Sequence, residues 1–148
     1  LLGSVNPAIL VTRMVGKGDI RKLGSGNAGT TNVMRSVGFL PGALTFVGDA
    51  LKGLAATFIG KVVFEYVHTQ TGTAVSHVAI GTLLCGLACM LGHVFPFFFG
   101  FRGGKGVAVS VGIFFVCSPL AITIGLAVFA IVLLISKMVS LSSLIALT

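Results

Sequence analysis

Two cations set among four glycines, in the run Gly100, Arg102, Gly103, Gly104, Lys105 and Gly106, are the residues whose types and spacing most directly suggest chemistry. Glycines reach positive φ at little cost and let bare N–H groups approach a ligand closely. A glycine nest that opens a helix, with a fixed cation inside it, attracts anions. The same residues would also serve as a tight inter-helix turn with two ordinary interfacial cations. A second stretch favours the anion site. Residues 23–35, LGSGNAGTTNVMR, set Ser25, Asn27, Thr30, Thr31 and Asn32 among Gly24, Gly26 and Gly29 and end in Arg35. Hydroxyls, amides and glycine N–H groups suit an oxyanion, and an arginine offers phosphate a bidentate fork. Together the two stretches read as a two-sided phosphate clamp. A nucleotide P-loop is excluded, because GxxxxGK[ST] would need a glycine at Phe99 and a hydroxyl at Gly106.

The elements that position these loops are membrane helices. Of 148 residues 55% are hydrophobic and only 9% charged, and the mean hydropathy is +1.11. The apolar runs are long and continuous, which argues for helices rather than the alternating strands of a barrel. Apolar spans are expected over residues 1–12 (the end of a first span, with GSVNP in it), 39–61 and 78–91. A further run, 107–135, is too long for one upright span and is expected to break at Ser118–Pro119 into two helices, with Lys137 ending them and a last helix from Leu141. Ser4 and Asn6, polar at membrane depth, are expected to face protein or water. The chain begins inside one apolar run without a Met and stops inside another, so a piece of a longer polytopic protein is expected, truncated at both ends, with residues 1–148 as one transmembrane domain.

Cations set the topology. Segment 13–35 carries five of the ten, 92–106 two and 136–140 one, whereas 62–77 and the Ser118–Pro119 turn carry none. Counting spans places the three cationic segments on one side, cytoplasmic by the positive-inside rule, and both glycine-rich stretches then face the same way. The formal charge of +7 belongs to these loops and forms no dense block, which argues against a nucleic-acid partner.

Asp49 and Lys52 stand three residues apart inside a span. Ionisable groups at that depth are costly unless paired or hydrated. Either they form an ion pair that holds helices in register, or they support the loops directly. His93, at a helix end, is either a hydrogen-bonded structural group or an acid–base residue. Cys85, Cys89 and His93 share a helix face, but ligands strung along about 12 Å of helix do not converge on one ion, so no metal is expected.

The motifs GSVNP, GSGNAGTTNVMR, GDALKG, LGHVFPFFFGFRGGKGVA and KMVSLSS resemble, in order and spacing, the bacterial acyl-phosphate:glycerol-3-phosphate acyltransferase family. The resemblance covers essentially the whole chain. It implies an all-α polytopic bundle of seven helices, five to six of them represented here. It further implies an inner-membrane enzyme of phospholipid synthesis that moves a fatty acyl group from acyl phosphate to the 1-hydroxyl of glycerol 3-phosphate, giving lysophosphatidic acid. No cofactor is implied, and the expected partners are the two substrates and membrane lipid. By position, Ser25, Arg35, Lys105 and the loop Gly103, Gly104 and Gly106 match residues expected to hold the substrate phosphate, with Gly26, Asn27 and Asn32 beside them. Ser143 matches a serine near the reacting groups, with His93 a further catalytic candidate and Asp49 and Lys52 supporting. The family's last helix carries a His and an Asn implicated in catalysis that lie beyond Thr148. Neither aspartate present follows a His by five, so the H-x-x-x-x-D acyltransferase pair is missing. The rival class is a transporter or flippase for an organic phosphate, which midplane charges and broken helices would suit. Against it, no inverted repeat is visible and the cationic loops lie on one side only.

Overall fold

The computed structural model describes residues 1–146, Ser140 by its backbone alone. Its α-helices among the described residues are α1 (Pro7–Met14), α2 (Thr30–Ser36), α3 (Phe39–Thr71), α4 (Val75–Val94), α5 (Val107–Cys117), α6 (Pro119–Ser136) and α7 (Val139–Ala146), with no strand. Three helices are long and apolar enough to cross a bilayer: α3, α4 with the turn that follows it, and α6. The chain is a polytopic transmembrane helix bundle.

Its packing runs opposite to that of a water-soluble protein. The residues α3 buries are Gly42, Thr45, Asp49, Lys52, Gly53, Thr57 and Gly60, one face of small and polar side chains. Leu40, Leu44, Val47, Leu51, Phe58, Ile59 and Val62 of the same helix are exposed, where lipid would meet them. In a bilayer, apolar burial gives helices no reason to associate, so close backbone approach and polar contacts take over. Helix α3 is the mast. A Cβ on Gly53 would strike the Val109 carbonyl, and one on Gly112 the Ala50 carbonyl and the Leu54 nitrogen, so α3 and α5 cross with their backbones in contact. Gly60 faces Cys85 and Gly86 faces Thr57 where α3 meets α4, while Gly48 packs on Pro7 of α1. Gly112→Ala should therefore destabilise the bundle by about 1–3 kcal/mol, because the atoms it would strike are backbone and have nowhere to move. Thermal unfolding in detergent would measure the loss.

Helix α4 extends three residues beyond each end of the expected 78–91, and three further boundaries differ from the sequence expectation. The first span is interrupted: a 3-10 turn (Leu2–Ser4) gives way at Val5, and α1 restarts with Pro7 in its first position and Asn6 as cap, its Oδ1 accepting from the Ile9 N–H (3.2 Å). Proline has no N–H to continue a helix and suits this start. Helix α3 does not end at residue 61 but runs on into the cation-free segment, until Gly72 (φ 65°) closes it with an N–H to the His68 carbonyl. No glycine or proline stands between Gly60 and Gly72 to break the helix, and Lys61 and Glu65, four apart, lie 3.9 Å from each other. The last helix starts at Val139, two residues before Leu141. The expected break falls where it was placed, with Pro119 opening α6 and Lys137 capping it.

Candidate anion site at the start of helix α5

The two glycine-rich stretches meet. Gly104 is buried so closely against the other loop that a Cβ would collide with the Ala28 carbonyl and with His93 Nε2. A second contact joins them at the rim. Asp19 receives Arg21 Nε at 3.0 Å and Nη2 at 2.6 Å, and the same guanidinium donates through Nη1 to the Phe99 carbonyl. Arg13 adds a weaker pairing to Asp19 at 3.9 Å and lies over the Phe99 ring, 5.9 Å from its centroid. Two loops 78 residues apart are thereby latched together.

The Arg21 hydrogen bond holds the Asp19 carboxyl at about 2, below its ordinary 3.8. A depressed carboxylate contributes stability above its unfolded value and loses it as pH falls toward the folded one. The latch is thus fully charged above about pH 4 and fails only in strong acid. Asp19→Asn should open it at any pH, at a cost of about 1 kcal/mol, or roughly fivefold weaker anion affinity. Titration with glycerol 3-phosphate at neutral pH would read the difference.

Inside the first stretch Asn32 does the organising. Its Oδ1 accepts from the Ser25 N–H (3.0 Å) and the Ser36 hydroxyl (3.3 Å), and its Nδ2 donates to the carbonyls of Leu23 (2.9 Å), Asn27 (3.0 Å) and Ile20 (3.3 Å). It is buried with every polar atom engaged, so the expected role for Asn32 as a phosphate ligand is corrected: it shapes the loop from within. That leaves Ser25 and Gly26 (φ 71°) exposed on the loop, Asn27 half-buried behind them, and Arg35 exposed in the last turn of α2.

In the second stretch the glycines divide. Gly103 N–H donates to the Val94 carbonyl (3.1 Å) and Gly104 N–H to the His93 carbonyl (3.3 Å). Helix α4 ends at Val94, and its last carbonyls need partners. These two glycines supply them, so their N–H groups do not face an anion, contrary to expectation. Gly106 caps α5 with φ 82°, a conformation glycine adopts freely. The N–H groups that α5 leaves unpaired begin there, at Gly106, Val107 and Ala108, beside the exposed Lys105 and Arg102.

Beneath the loop lies a buried ionic cluster. Lys52 Nζ stands 2.7 Å from Asp49 Oδ1, 2.9 Å from His93 Nδ1 and 2.7 Å from the Val5 carbonyl, which accepts from it. His93 Nδ1 is also 3.2 Å from Asp49 Oδ1. The three side chains are 1–6% exposed. The pairing of Asp49 with Lys52 matches one of the two readings of those residues. The tie to Val5 was not legible, since it uses a carbonyl released only by the break at Asn6. Ser4 is satisfied likewise, its hydroxyl accepting from the Phe97 N–H at 3.2 Å.

Ser143 lies apart from the cluster. With Val107 and Ser110 of α5's first turn, and Phe114, Leu126 and Phe129, it lines an apolar crevice of about 100 Å³ between α5, α6 and α7. Its hydroxyl donates to the Val139 carbonyl (2.9 Å). The crevice reaches the first turn of α5 through Val107 and Ser110. Cys85 and Cys89 diverge, the first toward Gly60 and the second toward the Lys52 carbonyl (3.5 Å).

A helix bundle of small-residue crossings, with two glycine loops latched over a buried ionic cluster, is that of an integral membrane protein with a candidate anion site at one helix N-terminus. The family model for glycerol-3-phosphate acyltransferase matches residues 1–148, and the chain belongs to that family. It is 39% identical to glycerol-3-phosphate acyltransferase 2 of Bacillus anthracis over 99% of this chain and 70% of the relative. It is 43% identical to the Thermoanaerobacter pseudethanolicus glycerol-3-phosphate acyltransferase over 97% of this chain and 66% of that one. Among solved structures it resembles PlsY (YgiH), an integral membrane glycerol 3-phosphate acyltransferase. The glycerol 3-phosphate form superposes with TM-score 0.80 at 37% identity, covering 99% of this chain and 67% of that one. The lysophosphatidic acid form gives 0.77 at 36% identity, covering 99% and 66%. The chain thus spans about two thirds of the length of these relatives.

Proposed function

We propose that this chain forms the glycerol 3-phosphate site of an acyltransferase that uses acyl phosphate as donor and releases lysophosphatidic acid and inorganic phosphate. The observation that carries this reading is the junction of the two loops at Gly104, beside the N-terminus of α5 and its cations. The phosphate of glycerol 3-phosphate would be held by the N–H groups at Gly106 and the start of α5, by Lys105 and Arg35, and by the Ser25 loop. The acyl tail would lie in the crevice that Ser143 lines.

The chemistry asks little beyond placement. An acyl phosphate is a mixed anhydride with a good leaving group. The glycerol 1-hydroxyl oxygen adds to the acyl carbon, the bond from that carbon to the phosphate oxygen breaks, and the hydroxyl proton leaves with the phosphate as hydrogen phosphate. Holding a hydroxyl against a carbonyl supplies much of the barrier reduction, and fixed cations and N–H dipoles stabilise the developing oxyanion. Charge on the loops then selects phosphate-bearing substrates. The active site faces the cytoplasm of the inner membrane in this reading, consistent with the cation asymmetry of the loops.

The test is formation of lysophosphatidic acid from synthetic acyl phosphate and glycerol 3-phosphate by detergent-purified protein, with acyl coenzyme A as the alternative donor. Product from acyl phosphate alone supports the reading. Product from acyl coenzyme A alone overturns the donor assignment, and gradient-driven uptake of glycerol 3-phosphate into vesicles without product would favour a transporter.

A further inference from the structure

The buried cluster is larger than an ion pair needs to be. An ammonium has three hydrogens and no acceptor. Around Lys52 Nζ stand three acceptors, the Val5 carbonyl at 2.7 Å, Asp49 Oδ1 at 2.7 Å and His93 Nδ1 at 2.9 Å. The ammonium can only donate, so His93 Nδ1, 2.9 Å away, accepts from it, while Asp49 Oδ1 meets the ammonium as an ion-pair contact without hydrogen-bond geometry. A neutral imidazole that accepts at one nitrogen carries its hydrogen on the other. The Nε2–H edge is the one that meets Gly104: a Cβ there would collide with His93 Nε2 and Cε1. The His93 carbonyl meanwhile accepts the Gly104 N–H. One residue therefore grips the loop twice, by backbone and by ring, and Nε2 has no protein hydrogen-bond partner among the described residues.

We propose that His93 is a positioning residue for the anion loop, with the Lys52 ammonium fixing its ring as the Nε2–H tautomer and that edge setting the height of Gly104 beside the start of α5. Asp49 balances the ammonium, and Val5, from the broken first span, completes it. This rests on the site reading above. His93 acts through Gly104 and the loop rather than as an acid or base. It should govern how well the phosphate is bound, not how fast the bound substrate reacts.

Two measurements on detergent-purified protein test this. The first is the imidazole 15N spectrum of histidine-labelled chain, with His93 assigned among the three histidines by its loss on substitution. Nδ1 of His93 should resonate as an unprotonated, hydrogen-bonded nitrogen and Nε2 as a protonated one, and Lys52→Met should abolish this signature. A protonated Nδ1 overturns the proposal whatever the site binds. The second is calorimetric titration with glycerol 3-phosphate, alongside thermal unfolding. In an Asn variant the amide reaches only the Nδ1 position, and in a Gln variant it extends to that of Nε2. His93→Asn should weaken binding by about 10- to 100-fold and His93→Gln by only a few-fold, a charge-oriented contact being lost in one and replaced in the other. Equal losses in both would mean that the ring only fills space, overturning the proposal. Wild-type affinity in both would do the same. Absence of binding by the wild-type chain, with the tautomer as described, would remove the glycerol 3-phosphate reading and the positioning role with it.

Discussion

Lys105→Ala and Arg35→Ala should each lower kcat/KM for glycerol 3-phosphate by about 30- to 1000-fold, the equivalent of 2–4 kcal/mol for a lost charge-assisted phosphate contact. Both side chains are exposed, and neither forms an ion pair among the described residues, so neither substitution disturbs an internal partner. The fold should survive, and the loss should fall mainly on KM. Because the two cations come from opposite loops, the double variant tests whether they serve one anion. Two groups on one phosphate should show non-additive losses, whereas independent surface charges should add. Steady-state assays in the complete protein, with acyl phosphate saturating, would measure both. Wild-type kinetics in the two single variants would dissolve the clamp.

Asp49→Ala should be strongly destabilising. It leaves the Lys52 ammonium 6% exposed within the bundle, with only a carbonyl and an imidazole nitrogen for company. Removing one partner of a buried pair costs about 3–5 kcal/mol, mostly the penalty of the stranded charge. The second charge is therefore the cause of the loss, and Asp49→Ala combined with Lys52→Met should recover most of it. Thermal unfolding in detergent would show the single variant well below wild type and the double variant close to it. If the double variant is no better than the single one, the cluster is packed for shape and not for charge. Anion binding should not recover in step with stability, because methionine cannot orient His93.

What could be read from the residues alone divides along physical lines. Composition and the lengths of the apolar runs carry the membrane bundle, the break at Ser118–Pro119 and the meeting of the glycine-rich loops, because hydropathy and loop charge are additive properties of a segment. The end of α3 is hard to read because polar residues suit a turn and a helix alike, whereas no glycine or proline between Gly60 and Gly72 breaks the helix. Asn32 illustrates a harder limit. Its residue type suits a phosphate ligand and a loop organiser equally, and only the positions of five backbone and side-chain partners decide between them. The division of labour among Gly103, Gly104 and Gly106 is of the same kind. All three are glycine for sound reasons, but two of those reasons concern the end of α4 and one concerns the start of α5.

The shortness of α5 carries a further consequence. Eleven residues make a rod of about 16 Å, roughly half of a 30 Å hydrocarbon core. If its Pro119 end approaches the far leaflet, its opening end is sunk well below the near surface. Asp49 agrees, standing ten residues or about 15 Å along α3 from Phe39 and lying beneath the same loop. The reaction would then take place in a well within the membrane rather than on it. A fatty donor could slide in sideways from the leaflet without ever being lifted into the cytoplasm, and the small polar acceptor would make the only descent. Water, which would waste an activated acyl group by hydrolysis, would be scarce at that depth.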